Sequence, residues 1–267
     1  MTEIRKKKNK KYKKLINFLK AIAFIAAFFG ILILVGLSPA FDIDKIFAGD
    51  TFRYNSDALI EASGLTTGVN GFKGLGPDTK NLLALRYSGA ESRMLNKLPY
   101  LKEAVVKYIL PDTIRISVLE RTPMCLVKYY DTYAVVDREG YAMDARKIPY
   151  GLPVIKGLML KGLEIGRVLM LDNFLSFERV AGVIDAINRS DEGTAFDLME
   201  SVDFFEVSGK EVHFLYDSRI VVKLDEKRDV TYSVDLLKEI LYKNIRESEK
   251  GILDFTEGDD PIFTPEE

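Results

Sequence analysis

The chain has 267 residues, 47% of them apolar and 29% charged, which is long enough for two domains that each bury a core. A single cysteine, Cys125, excludes an intramolecular disulfide, and with His213 the only histidine neither a thiolate nor an imidazole metal site is expected. The net charge of −2 hides a split: residues 1–20 hold nine Lys/Arg against Glu3, a net +8, leaving −10 for the remainder. So acidic a body is unsuited to nucleic acid, whereas a basic head suits a membrane surface.

Behind the basic head, residues 21–41 carry no charge and as a helix would reach roughly 32 Å, enough for a bilayer's hydrocarbon core. We read 1–20 as a cytoplasmic tail and 21–41 as one transmembrane helix. The Lys/Arg excess keeps the N-terminus inside and everything beyond the span outside, a single-pass type II arrangement. Ser38-Pro39-Ala40 has the small residues of a signal-peptide cleavage site, but the apolar run exceeds the usual ~7–15 residue core.

The alternation of Phe41, Ile43 and Ile46 predicts a strand within 41–49. Asn55 or Ser56 can cap a helix that closes on Gly64. The glycine-rich "LTTGVNGFKGLG" lacks both nucleotide-binding spacings and reads as a loop. A helix starting at Pro77-Asp78 follows, with Leu82, Leu83, Leu85, Met94, Leu95 and Leu98 at roughly helical spacing and a possible division at Ser88-Gly89. Ala104, Val106 and Tyr108 share one face of a strand, and Ile114, Ile116 and Val118 one face of the next, with Pro111 in the second place of the turn between them. These elements make a β-α-α-β-β unit over 42–121. Glu120-Arg121 is expected to hold its exit by a salt bridge or backbone hydrogen bonds, and Pro123 to end its ladder.

Residues 122–256 read as mostly strand, with turns at Asp131-Thr132, 138–140, Ser208-Gly209 and Asp217-Ser218. Two helices interrupt them, at 172–188 and 227–246. The class is therefore α+β: a transmembrane helix, the small module, then a mixed, mostly antiparallel domain with two helices. "GILDFTEGDDPIF" reads as a last strand running into an acidic, partly frayed tail over 257–267. No nucleophile stands with a base. His213 alternates in "EVHFLY", Cys125 sits among apolar neighbours, and Asp254, Glu257, Asp259 and Asp260 lack the spacing of a calcium loop. Neither catalysis, a metal, a cofactor nor a small-molecule substrate is expected.

Several segments in this order resemble the FtsQ/DivIB family of bacterial cell-division proteins, and the small module resembles a POTRA domain. The matches are "SGLTTGVNGF" (63–72), "LPYLKEAVV" (98–106), "LPDTIRISVLERTP" (110–123), "VVDREGYAMD" (135–144) and "LPVIKG" (152–157). The resemblance implies a non-enzymatic scaffold in the cytoplasmic membrane at the division septum, recruiting FtsB/DivIC-like and FtsL-like membrane proteins; another POTRA-type binding or chaperone protein of the envelope is the alternative. It implies structural roles for Pro111, Glu120, Arg121, Pro123, Asp137 and Gly140. It also gives the terminal strand, with Ile252, Leu253, Asp254, Phe255, Thr256, Glu257, Ile262 and Phe263, the task of receiving a partner's strand. Unpaired N–H and C=O groups at a sheet edge suit that task, although Pro261 cannot donate. On this reading, removal of 251–267 leaves a folded fragment that has lost its partner.

Overall fold

The computed structural model describes residues 2–266 apart from 226 and 259, and only the backbone over 2–15. The side chains of the basic cluster at 5–14, and Asp259 and Glu267 of the acidic tail, therefore lie outside the described residues. The chain forms two compact units, one of residues 1–97 with 101–120 and the other of 98–100 with 121–267.

The first unit opens with helix α1 (Thr2–Gly36), of which Ile16–Gly36, 21 residues of mean hydropathy 2.6, is long and apolar enough to cross a membrane. This apolar window begins earlier than the sequence suggests and ends five residues sooner. Pro39 disfavours helical backbone at Ser38, and Pro39–Phe41 close as a short 3-10 turn. After it come β1 (Lys45–Ala48), α2 (Ser56–Ser63), α3 (Thr79–Leu83), α4 (Ser88–Lys97), β2 (Leu101–Ile109) and β3 (Thr113–Glu120). Asn55 caps α2 by accepting from the Ala58 N–H, and Gly64 ends it in the left-handed conformation. The strands form a sheet in the order β1-β3-β2, with β1 parallel and β2 antiparallel to β3. One sheet face carries Ala104, Val106, Tyr108, Ile114 and Ile116, and these are buried together with Leu59 of α2 and Met94 of α4.

Two local expectations for this unit change. Leu82 and Leu83 are exposed, because α3 lasts only five residues and Leu85, at φ 51°, turns the chain back onto the sheet before α4 begins. The β2–β3 turn holds a cis Leu110-Pro111 bond in place of the trans proline turn. The glycine-rich loop has a packing explanation: a Cβ at Gly74 would overlap the Tyr87 ring, whose hydroxyl donates to the Gly71 carbonyl.

The second unit is one ten-stranded sheet under two helices. Its strands are β4 (Pro123–Tyr129), β5 (Thr132–Asp137), β6 (Tyr141–Arg146), β7 (Val154–Lys156), β9 (Arg167–Val168), β11 (Val202–Ser208), β12 (Glu211–Tyr216), β13 (Ile220–Asp225), β14 (Gly251–Asp254) and β15 (Ile262–Pro265). A separate small pair joins β8 (Leu160–Gly162) to β10 (Met170–Leu171). The order is β15-β14-β13-β12-β11-β7-β4-β5-β6-β9. Two antiparallel meanders, β4-β5-β6 and β11-β12-β13, are joined through β7, which runs parallel to β4 on one side and β11 on the other. The helices α5 (Phe174–Asp191) and α6 (Val230–Lys243) bury Phe177, Val180, Ile184, Val234 and Leu237 in a core shared with Phe205, Phe214, Val222, Leu253 and Phe255. Because α6 crosses over between them, β13 and β14 pair in parallel.

Candidate functional site: the C-terminal sheet edge

The stretch expected as one terminal strand with a frayed tail is a hairpin. Residues 251–254 form β14, which is sealed between β13 and β15, and 262–265 form β15, the outermost strand. Glu257 and Gly258, in the turn between them, are held by the Arg228 guanidinium, which donates to the carbonyls of Glu257 (3.4 Å) and Gly258. Only two of the eight residues expected to meet a partner therefore lie on the outermost strand, Ile262 and Phe263. Leu253 and Phe255 are buried in the core at 1% exposure each. Asp254 accepts from Thr256 N and Oγ1 (both 2.7 Å) and pairs with Lys223 at 3.3 Å. Although burial works against its charge, these donors and Lys223 hold the Asp254 carboxyl below its ordinary range. Ile252 lies in β14 opposite Thr264, and Glu257 lies in the turn.

Register decides which backbone groups of β15 are free. Gly251 and Phe255 donate to Arg219 and Lys223 on the β13 side, so Ile252 and Asp254 turn their backbone groups to β15. They face Thr264 and Ile262, and the Glu266 N–H to Lys250 carbonyl bond (2.8 Å) continues the same alternation. Phe263 and Pro265, with Pro261 before the strand, thus direct their backbone outward. Two of these three are prolines, so among the described residues the rim offers a single N–H, that of Phe263, beside the carbonyls of 261, 263 and 265. The Phe263 side chain turns the other way and packs against the core beside Leu253.

The 106–108 stretch of the small module's β2 edge is covered by contrast. Tyr87 N donates to Val106 O (2.9 Å), Tyr108 N to Leu85 O (2.8 Å), and Val106 N to Glu91 Oε1 (2.9 Å). Arg86 grips both Glu91 oxygens, at 2.9 and 2.8 Å, and so aims the carboxylate at the strand.

The residues singled out near the exit of the module work in separate places. Among the described residues no ion pair joins Glu120 to Arg121. Glu120 instead accepts from Thr51 Oγ1 (2.6 Å), Arg53 N (3.1 Å) and Phe52 N (3.2 Å) in the first unit. In the second, Arg121 pairs with Asp137 (2.5 Å) and Glu139 (3.0 Å) and lies 3.8 Å from the Tyr141 ring centroid. Asp137 also accepts from the N–H groups of Glu139 and Tyr141 (2.9 Å each), which fixes the β5–β6 turn. Gly140 completes that turn at φ 75°, where a Cβ would come within 2.8 Å of the Phe174 ring. Pro123 begins β4 opposite Asp137 instead of ending a ladder; as a strand's first residue it leaves no ladder bond unmade. Pro111 lies in the β2–β3 turn. The Arg121 pairing was missed because its partner is 16 residues away and only the β4–β5 register brings the two together.

His213 Nε2 lies 2.7 Å from Glu211 Oε2 on β12, and Cys125 is fully buried, which pushes its thiol pKa up and keeps it protonated. Among the described residues, no group of three or more His, Cys, Asp or Glu side chains could hold a metal ion.

One apolar helix fit to span a bilayer, a three-stranded module with three helices and a larger sheet with an open terminal rim fit a single-pass membrane protein. No family model matches the chain. Cell division protein FtsQ of Corynebacterium glutamicum is 25% identical over 183 residues, 66% of this chain and 72% of that protein. Cell division protein DivIB of Clostridium acetobutylicum is 28% identical over 137 residues, 51% of this chain and half of that protein. Cell division protein FtsQ of Novosphingobium aromaticivorans is 34% identical over 74 residues, 27% of this chain and 22% of that protein. The chain is thus similar to FtsQ/DivIB cell-division proteins over half of its length or more in two of these matches, in keeping with its motifs.

Proposed function

We propose that the chain is a non-enzymatic scaffold of the bacterial division machinery, held N-terminus inside by α1, that recruits FtsB/DivIC-like and FtsL-like membrane proteins at the septum by accepting a partner strand on β15. The observation that carries this reading is the open β15 rim, with the Phe263 N–H and C=O flanked by two further carbonyls. The names of the relatives support the division role, and the basic head supports the orientation. Capture of strands by the small module is the less favoured use, since Leu85, Tyr87 and Glu91 already occupy its β2 edge.

Among the described residues the rim has one donor, so its removal is a sharp test. In co-purification with the two partner types, Phe263→Pro is expected to weaken binding by about tenfold or more, the scale of one lost backbone pairing. Phe263→Ala, which keeps the N–H while losing the same ring, is expected to bind much better than the proline variant. Equal binding by the two would reject the β15 rim. A fluorescent fusion of the intact chain is expected at midcell, and an even envelope signal would reject the division role.

A further inference from the structure

The last helical residue, Gly36, and residues 37–44 beyond it are bound into the small module at several points. The Asn70 side-chain amide donates to Gly36 O (2.9 Å), and Gly71 N donates to Phe41 O (2.8 Å). Ile43 exchanges backbone hydrogen bonds with Val69 and Gly68 (2.9 and 2.8 Å), and Asp44 N donates to Asp112 O (2.8 Å). The rings of Phe41, Phe72 and Tyr108 stack in series, 5.3 and 5.5 Å between centroids, and the Tyr108 hydroxyl lies between the carbonyls of Phe41 and Pro111. The loop at 68–72 and the β2–β3 tip at 109–112 therefore sit against the segment that leaves the helix.

Where α1 crosses a bilayer, that placement brings both loops into the headgroup layer, which is roughly 5–8 Å deep on each side of the hydrocarbon. Among the residues brought there, Leu37, Val69, Ile109 and Leu110 are exposed apolar side chains, Leu37 and Leu110 by about half. They stand on three separate segments of one fold around the helix exit, and aromatic rings lie behind them. Asp42, Asp44 and Asp112 share the same base, with Lys45 3.8 Å from Asp44, so the surface carries no cationic excess for anionic headgroups. The attraction on offer is apolar.

We infer that the base of the small module is a membrane-seating surface, with Val69, Ile109 and Leu110 set into the interface of a zwitterionic leaflet around the end of α1. The bilayer then contacts the folded module as well as the helix, and the β2–β3 tip limits how far the module can tilt about the Gly36–Leu37 exit. The inference rests on the reading of α1 as a membrane span, and the controls below separate the two.

The chain contains no tryptophan, so a single introduced one reports without background. The intact protein is reconstituted in phosphatidylcholine vesicles with or without bromine on the upper acyl carbons, carrying Leu110→Trp, Ile109→Trp, Phe29→Trp or Phe52→Trp. Phe29 lies within the span, while Phe52 is fully exposed and lies with Thr51 against Glu120, at the other end of β3 from the tip. Emission of the Leu110→Trp and Ile109→Trp variants is expected to be blue-shifted and quenched roughly twofold by the brominated lipid, as for an indole at headgroup level. The Phe52→Trp signal is expected to stay unquenched, about 20 Å further along the strand direction. Quenching of Phe29→Trp with none at positions 109 and 110 would overturn the seating surface and leave the span standing. Quenching at 52 equal to that at 110 would also overturn it, and absence of quenching at position 29 would reject the span and the inference together.

Discussion

Removal of residues 251–267 is expected to unfold the second unit, whereas removal of 260–267 leaves it folded. The first cut takes β14, and with it Leu253 and Phe255, each 1% exposed beneath the helices. Emptying two such sites costs about 2–5 kcal/mol apiece, to be set against a total stability of roughly 5–15 kcal/mol. The same cut also bares β13, whose carbonyls at Arg219 and Lys223 receive the Gly251 and Phe255 N–H groups. The second cut takes β15, where Phe263 alone is half-buried against the core, and should lower the thermal midpoint by only a few degrees. Circular dichroism melts of the two truncated chains beside the intact one decide the matter; coincident melts for the two truncations would show that β14 carries no core. The expectation drawn from sequence, a fragment missing 251–267 that is folded yet unable to bind, is therefore replaced. The cut that isolates binding from folding is the shorter one, and partner binding that rises after it would place the incoming strand on β14, with β15 as the strand it displaces.

The same hairpin marks the boundary of what the sequence discloses. The small module is legible because its signals are local: alternation at 104–108 and 114–118, the Asn55 cap, the closing Gly64. The strand β15 is not, since three residues between Pro261 and Pro265 that follow an acidic run carry the composition of a solvated tail. They become a strand only because β14 presents Ile252 and Asp254 to them. Leu82 and Leu83 mislead for the opposite reason, having helical spacing in a segment whose helix stops after one turn and leaves them in water. The place of "LPVIKG" at the middle of the sheet is likewise a matter of long-range pairing. Nothing within the six residues says that β7 will run parallel to both meanders.

Asp137→Asn is expected to destabilise the second unit by about 1.5–3 kcal/mol, the scale of one lost charged hydrogen bond and below the ~3–5 kcal/mol of stranding a buried charge outright, because Glu139 still pairs with Arg121. The Arg121 side chain is 11% exposed and that of Asp137 6%, so water cannot replace the lost charge. Burial works against the charged guanidinium, while Asp137 and Glu139 together hold its pKa raised. The asparagine keeps an oxygen for the N–H groups of Glu139 and Tyr141, so the β5–β6 turn survives and the loss reports the pair itself. Arg121→Met alone strands the Asp137 carboxylate and should cost a similar amount, although the Tyr141 ring still receives an apolar side chain. With both changes no charge is left stranded, and the double variant is expected to be more stable than the sum of the two losses by at least about 1.5 kcal/mol. Denaturant midpoints for the four proteins measure that coupling. Strict additivity would mean that Arg121 and Asp137 act independently, Arg121 merely covering Tyr141 and Asp137 closing the β5–β6 turn, so that Arg121 serves the second unit through packing alone.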